Sequence, residues 1–176
     1  MSTSQNGFPA LDYGSRLLYT WTIPAKNGTL KLTLRNGSAG FVLVHFLVWF
    51  SETIEDLTGA HPADDWGFAP RPIRGSSTTL SNHASATAAD TNATEHPLGV
   101  RGTLTIKEKA KIWLRLKVYR GVLRHGAFYN GRVDEMHVEI NAPMSAVEKV
   151  AYRLMETPRG KRILAANPSQ RAVILS

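Results

Sequence analysis

The sequence predicts one α+β domain: a small antiparallel sheet with helices packed on it. Three observations carry this. Two strand-like segments, 17–23 and 30–34, face each other across a turn. Two segments of helical spacing, 38–57 and 105–119, are long enough to cover a sheet. Two further short strands, near 88–90 and 136–141, hold the residues with the most chemistry.

In chain order, Leu17 to Ile23 and Leu30 to Leu34 form a hairpin, the second strand alternating cleanly, with the turn at Lys26-Asn27-Gly28. Val42, Phe46, Trp49 and Phe50 then recur at helical spacing between Gly37 and Gly59, with Ser38 as the N-cap. His45 lies inside this apolar run and reads as a satisfied core histidine. Residues 59–79, including His61-Pro62, Pro70, Pro72 and Gly75, make a long irregular stretch of the kind that often carries function. Ser81 to Asp90 leads from loop into a short strand, and Asn92 to Gly99 is a polar turn whose His96 reads as exposed and is kept only as a spare ligand. Thr105 and Glu108 match a capping box, after which Ile106, Ala110, Trp113, Leu114 and Val118 supply the inward face of a helix. Gly121 to Gly131 is a loop with a short strand. In the strand 136–141, Met136, Val138 and Ile140 share one face, and His137 and Glu139 the other. Ser145 caps a helix carrying Val147, Val150, Ala151 and Leu154; Pro158-Arg159-Gly160 breaks it before a short helix at 161–166, and 168–176 is a tail.

Composition narrows the chemistry. With 176 residues, 43% of them hydrophobic, the chain holds a full core without a repeat or a linker, so 1–176 is read as a single domain. The most apolar run, Phe41 to Phe50, is about half the length of a membrane helix, and membrane insertion is not expected. The polar start Met1 to Gly7 lacks the basic and apolar regions of a signal peptide. There are no cysteines, which excludes disulfides, thiolate nucleophiles and cysteine-ligated zinc, and leaves His and carboxylate as the strong metal ligands. A formal charge of +7 suits a polyanionic neighbour, but the chain shows no RNP-like motif, zinc finger or phosphate loop, and no nucleic-acid partner is expected.

Among the remaining ligands one constellation stands out. His83 and Asp90 lie seven positions apart among small residues, and His137 follows downstream with carboxylates beside it. Two His and one Asp leave a fourth position open, as in a catalytic zinc site. Strand alternation places Glu135 and Glu139 on the face of His137. Glu139 is suited to orient that imidazole, and Arg71 and Arg74 upstream can hold a carboxylate or a developing oxyanion.

The chain also resembles a known family. Trp66-Gly67-Phe68, Arg71-Pro72-Ile73-Arg74-Gly75, Leu80 to Asp90, His96-Pro97-Leu98-Gly99 and Gly131 to Glu139 stand in the order found in zinc peptidases of the D-alanyl-D-alanine carboxypeptidase and L-alanyl-D-glutamate endopeptidase family, and the likeness is greatest to the peptidase domain of phage endolysins. It covers about 66–140, leaving the hairpin and helix at 17–57 and the helices at 145–167 outside it. Two departures from the pattern matter: Ala86 replaces a glycine, and Val138 a phenylalanine.

The resemblance implies the fold of those peptidases, with one zinc ion on His83, Asp90 and His137. It implies Asp134 as general base, three positions before the last His, with Glu135 as the competing choice from strand alternation. Arg71, or else Arg74, steadies substrate or oxyanion, and Arg74 and Ser81 contact substrate. The implied partner is the peptidoglycan stem peptide, cut between L-alanine and D-glutamate, with anionic wall polymers as a secondary partner. The protein would be made in a host bacterium's cytoplasm and act at the cell wall. A D-alanyl-D-alanine carboxypeptidase and a non-catalytic wall-binding module are the alternatives.

Overall fold

A computed structural model of the chain describes residues 2–59 and 64–176; His61-Pro62 lies outside them. The architecture is α+β, with two small antiparallel sheets where one was expected. Strands β1 (Leu18–Pro24) and β2 (Thr29–Arg35) form the first, joined by the expected turn, with Trp21 opposite Leu32 and Ile23 opposite Leu30. The second holds β3 (Ala88–Asp90), β4 (Leu123–His125) and β5 (His137–Ile140) in the order β3-β5-β4. The hairpin partners are local in sequence, whereas β5 lies between β4, which closely precedes it in the chain, and the distant β3.

Helix α1 (Gly37–Thr53) is the axis of the core. Its residues are buried from Gly37 to Ser51, so it needs no polar face and shows none. Each large apolar side chain so covered contributes roughly 1.5–3 kcal/mol. The helix starts one residue before Ser38, and that serine is buried within it. The first turn is satisfied instead from far away: the Gly37 N–H donates to Gln170 Oε1 at 2.7 Å. The helix ends at Thr53 rather than residue 57.

Around α1 pack α3 (Met144–Met155), α4 (Pro158–Ala166) and α5 (Gln170–Leu175). The stretch expected as a tail thus contains a helix, whose Gln170 caps α1 and whose Ile174 is buried. Pro158 opens α4 instead of breaking the chain before it. It occupies the first helical turn, and the Thr157 hydroxyl accepts from the Gly160 N–H at 3.0 Å. His45 is indeed a core histidine, with Nδ1 3.0 Å from the Tyr119 hydroxyl and Nε2 3.4 Å from that of Thr157.

Helix α2 (Ile106–Leu116) begins with the predicted capping box, but its packing corrects the sequence reading. Ile112 is its buried residue; Ile106, Trp113 and Leu114 face outward at 87%, 55% and 62% exposure. The apolar positions lie on both sides of the helix, and the side carrying Ile112 docks. Among the described residues, no helix is long and apolar enough to cross a membrane.

Candidate metal centre

The register of the second sheet builds the site. Asp90 lies directly opposite His137, and Glu139 lies between Ala88 on one side and Arg124 on the other. Opposite residues share a face, so Asp90, His137, Glu139 and Arg124 project together. Their neighbours Ala89, Val138, Leu123, His125 and Ile140 form the other, buried face. There His125 stacks on Phe50 with ring centroids 6.3 Å apart, and burial lowers its pKa to about 3. One face of the sheet is thus core and the other is site.

His83 comes from a 3-10 turn, Asn82–Ser85, capped by Ser81, whose hydroxyl accepts from the His83 N–H at 3.3 Å. Its ring is fixed at one end. Nδ1–H donates to the Gly67 carbonyl at 2.6 Å, which leaves the Nε2 lone pair free. Gly67 supplies that carbonyl by running hard against β2, where a Cβ would collide with the Thr33 carbonyl. Next to it, the Trp66 backbone pairs with Asp90 in both directions at 2.8 and 3.0 Å. The Trp66-Gly67-Phe68 segment therefore locks two of the expected ligands at once.

His83 Nε2, Asp90 Oδ1 and His137 Nδ1 converge, separated by 3.2, 2.7 and 3.3 Å, and all three residues are buried. Donor atoms placed about 2 Å from a tetrahedral ion are a little over 3 Å apart, so the spacing fits a metal. The outer partners fit as well. His137 Nε2–H donates to Glu139 Oε2 at 3.0 Å, and Glu139 is closed in by Asn82 Nδ2, Arg124 Nε and the Tyr129 hydroxyl, the last at 2.7 Å. Burial opposes ionisation of Glu139, yet these donors outweigh it and hold its pKa at about 2.

The same groups lie within hydrogen-bond distance of one another. Burial disfavours charge on His137, but its bonds to Asp90 and Glu139 prevail and raise its pKa to about 10. Asp90 is pushed well below the ordinary carboxylate range, against its own burial, by His83 and His137. A buried carboxylate facing two imidazoles turns one oxygen and two nitrogen donors toward a shared point. The His83–Asp90–His137 cluster can hold a metal ion.

The two candidate bases part company. Asp134 faces the cleft beside the ligands; its carbonyl accepts from the His137 N–H at 3.1 Å, and its Oδ1 is buried without a partner. Burial raises its pKa to about 6, with the Asp90 charge adding to the rise and His137, His83 and Arg74 opposing it. Gly126 lets this turn close, since a Cβ there would collide with the Asp134 carbonyl. Glu135 points the other way. It accepts from Lys109 Nζ at 2.6 Å, the Thr103 hydroxyl at 2.6 Å, and the Leu104 and Gly102 N–H groups at 2.7 and 3.0 Å. Strand alternation fails because β5 begins at His137, after a turn.

Arg71, Arg74 and Ser81 line the same cleft of about 170 Å³, with Arg71 half-buried and Arg74 exposed. His96 is elsewhere and, contrary to expectation, buried: it bonds Glu55 and Thr103 at 2.7 and 2.8 Å. Sequence reasoning missed Asn82, Arg124 and Tyr129, which surround Glu139. It also missed the N-terminal strap, where Asn6 bonds Asn82, Thr87 and the Ile140 carbonyl, and Ser4 bonds Ser85. Only Asn82, adjacent to His83, carried a signal; the others depend on long-range pairing. Comparison with protein-family models, curated proteins and solved structures finds no match.

Proposed function

We propose that this chain is a zinc-dependent peptidoglycan peptidase of the endolysin type, with the fold of the D-alanyl-D-alanine and L-alanyl-D-glutamate peptidases. One observation carries the reading: two imidazole nitrogens and a carboxylate oxygen converge beside an unpaired Asp134 oxygen, at the base of an arginine-bearing cleft. Zinc is the ion of choice because magnesium and calcium prefer all-oxygen shells. When bound to His83, Asp90 and His137, it supplies a Lewis acid that polarises a carbonyl and acidifies water.

The chain's own residues supply the rest. Asp134 takes the proton of the attacking water and passes it to the leaving amine. Arg71, with Arg74 beside it, offsets negative charge on the carbonyl oxygen or holds a substrate carboxylate. Glu139 keeps His137 in the tautomer that presents Nδ1. Ser81 orders the His83 turn and stands at the cleft wall for contact with substrate. The +7 charge concentrates the protein on an anionic wall.

The substrate is the stem peptide, cut between L-alanine and D-glutamate. Digestion of purified peptidoglycan should release free amino groups without new reducing ends, chelation should stop it, and the exposed amine should belong to D-glutamate. Release of D-alanine alone would reassign the chain as a carboxypeptidase. A zinc-loaded protein that releases no amine from susceptible walls would leave a wall-binding module.

A further inference from the structure

A second concavity adjoins the metal cleft. It has a volume of about 580 Å³, within the roughly 300–1,000 Å³ typical of ligand pockets, and it lies between α2 and the β4 segment. Trp113, Leu116, Leu123 and Phe128 give it apolar walls, with the Trp113 and Phe128 rings edge to face at 5.3 Å. Lys117 and Asn130 supply polar groups. Arg124 and Tyr129 line both this groove and the metal cleft, so the two spaces share a wall.

The groove exists because α2 docks through Ile112 and leaves Trp113 more than half exposed. An exposed indole beside a second aromatic ring, ringed by hydrogen-bonding groups, is matched to a ligand with an apolar face and a polar edge. A saccharide ring has that form: C–H bonds on its face, hydroxyl and N-acetyl groups around its rim. We infer that the Trp113–Phe128 groove is a saccharide subsite that holds the glycan of the wall while the attached peptide enters the metal cleft past Arg124 and Tyr129. This rests on the proposed peptidoglycan substrate, in which the cut amide lies close to the sugar. The shared wall gives the two parts of one substrate adjoining places.

The test uses the full, zinc-loaded chain and a soluble N-acetylglucosamine tetrasaccharide. The Trp113 indole N–H resonance should shift and saturate, and Trp113→Ala should weaken binding about tenfold, with partial recovery in Trp113→Phe. Ile106→Ala, on the same helix but away from the groove, serves as the unaffected control. Trp113→Ala should also lower the ratio of activity on intact walls to activity on glycan-free stem peptide by about tenfold. A Trp113 resonance indifferent to the sugar, or an unchanged ratio, would overturn the subsite. A dimer that Trp113→Ala dissociates would overturn it too, by assigning the groove to a second copy. If the sugar binds at Trp113 while neither substrate is cut, the subsite stands and the peptidase reading falls; if both are cut and the sugar is silent, the reverse holds.

Discussion

Asp134 and Glu135 are neighbours in sequence and face two different regions of the molecule. Toward α2, Glu135 is saturated by four donors, and these overcome its burial to bring its pKa down to about 2. Toward the metal cleft, Asp134 keeps one oxygen unpaired, and burial raises its pKa to about 6. The first arrangement is what stability selects, because a buried carboxylate is tolerable only when its lone pairs are filled. The second costs stability, because one oxygen is buried without a donor. Two adjacent acids of similar intrinsic chemistry thus divide into a carboxylate whose acceptors are filled and one with an unpaired oxygen.

The strongest way to break this division is to remove each acid in turn. Asp134→Ala should retain stoichiometric zinc and the native fold while losing roughly 10²–10⁴ in amide hydrolysis, the usual worth of a general acid-base group. Glu135→Ala should keep that activity at low temperature but lose about 1–3 kcal/mol in denaturant unfolding, because the buried Leu104 N–H loses its acceptor while the partly exposed Lys109 can turn to water. An active Asp134→Ala protein, together with an inactive but stable Glu135→Ala one, would reverse the assignment.

Removing a ligand tests the cleft side alone. His137→Ala should abolish stoichiometric zinc, and Glu139→Gln should weaken zinc affinity by about 10–100-fold with all three ligands intact. Zinc content by elemental analysis and competition with a chelating dye read both. A His137→Ala variant that keeps one zinc per chain would remove His137 from the ligand set.

Acid titration of the chelated protein sharpens the contrast, since the two acids pull in opposite directions. Glu135 has a folded pKa of about 2 against 4.5 ordinarily, so its contribution is complete above pH 4.5 and is lost as pH falls through 2. Asp134 has a folded pKa of about 6 against 3.8, so its contribution is complete below pH 3.8 and is lost as pH rises through 6. Asp134→Asn should therefore be more stable than the parent at pH 7 and no more stable near pH 3.5. Equal differences at both pH values would mean that the Asp134 carboxyl is solvated.

The smallest effect concerns Ala86, which follows the His83 turn with φ +56, a left-handed conformation that a side chain disfavours by roughly 1–2 kcal/mol. The same position is glycine in the resembled family. Ala86→Gly removes the strain but also a buried methyl and some rigidity of the unfolded chain, so stability should change by less than about 1 kcal/mol. A loss of several kcal/mol would show that the methyl packs more tightly than its backbone is strained.

Period and punctuation in the sequence were enough for the hairpin, the core helix α1, the capping box of α2 and the helical spacing of α3, because each is set by neighbours a few residues apart. The convergence of His83, Asp90 and His137 was anticipated differently: with no cysteine, His and carboxylate were the remaining strong ligands, and the family resemblance singled out these three. The facing of α2 was not legible, since apolar residues occur on two sides of it and only the docked surface decides which is buried. Nor was the role of Glu135, because alternation holds within a strand and the strand starts two residues later. The closure of Glu139 by Asn82, Arg124 and Tyr129, the strap through Asn6, and the capping of α1 by Gln170 all join distant segments. Local sequence determined which groups could bind a metal or fill a core. Tertiary packing decided which of them are saturated and which keep an unpaired oxygen, because hydrogen-bond partners and burial are properties of the whole fold.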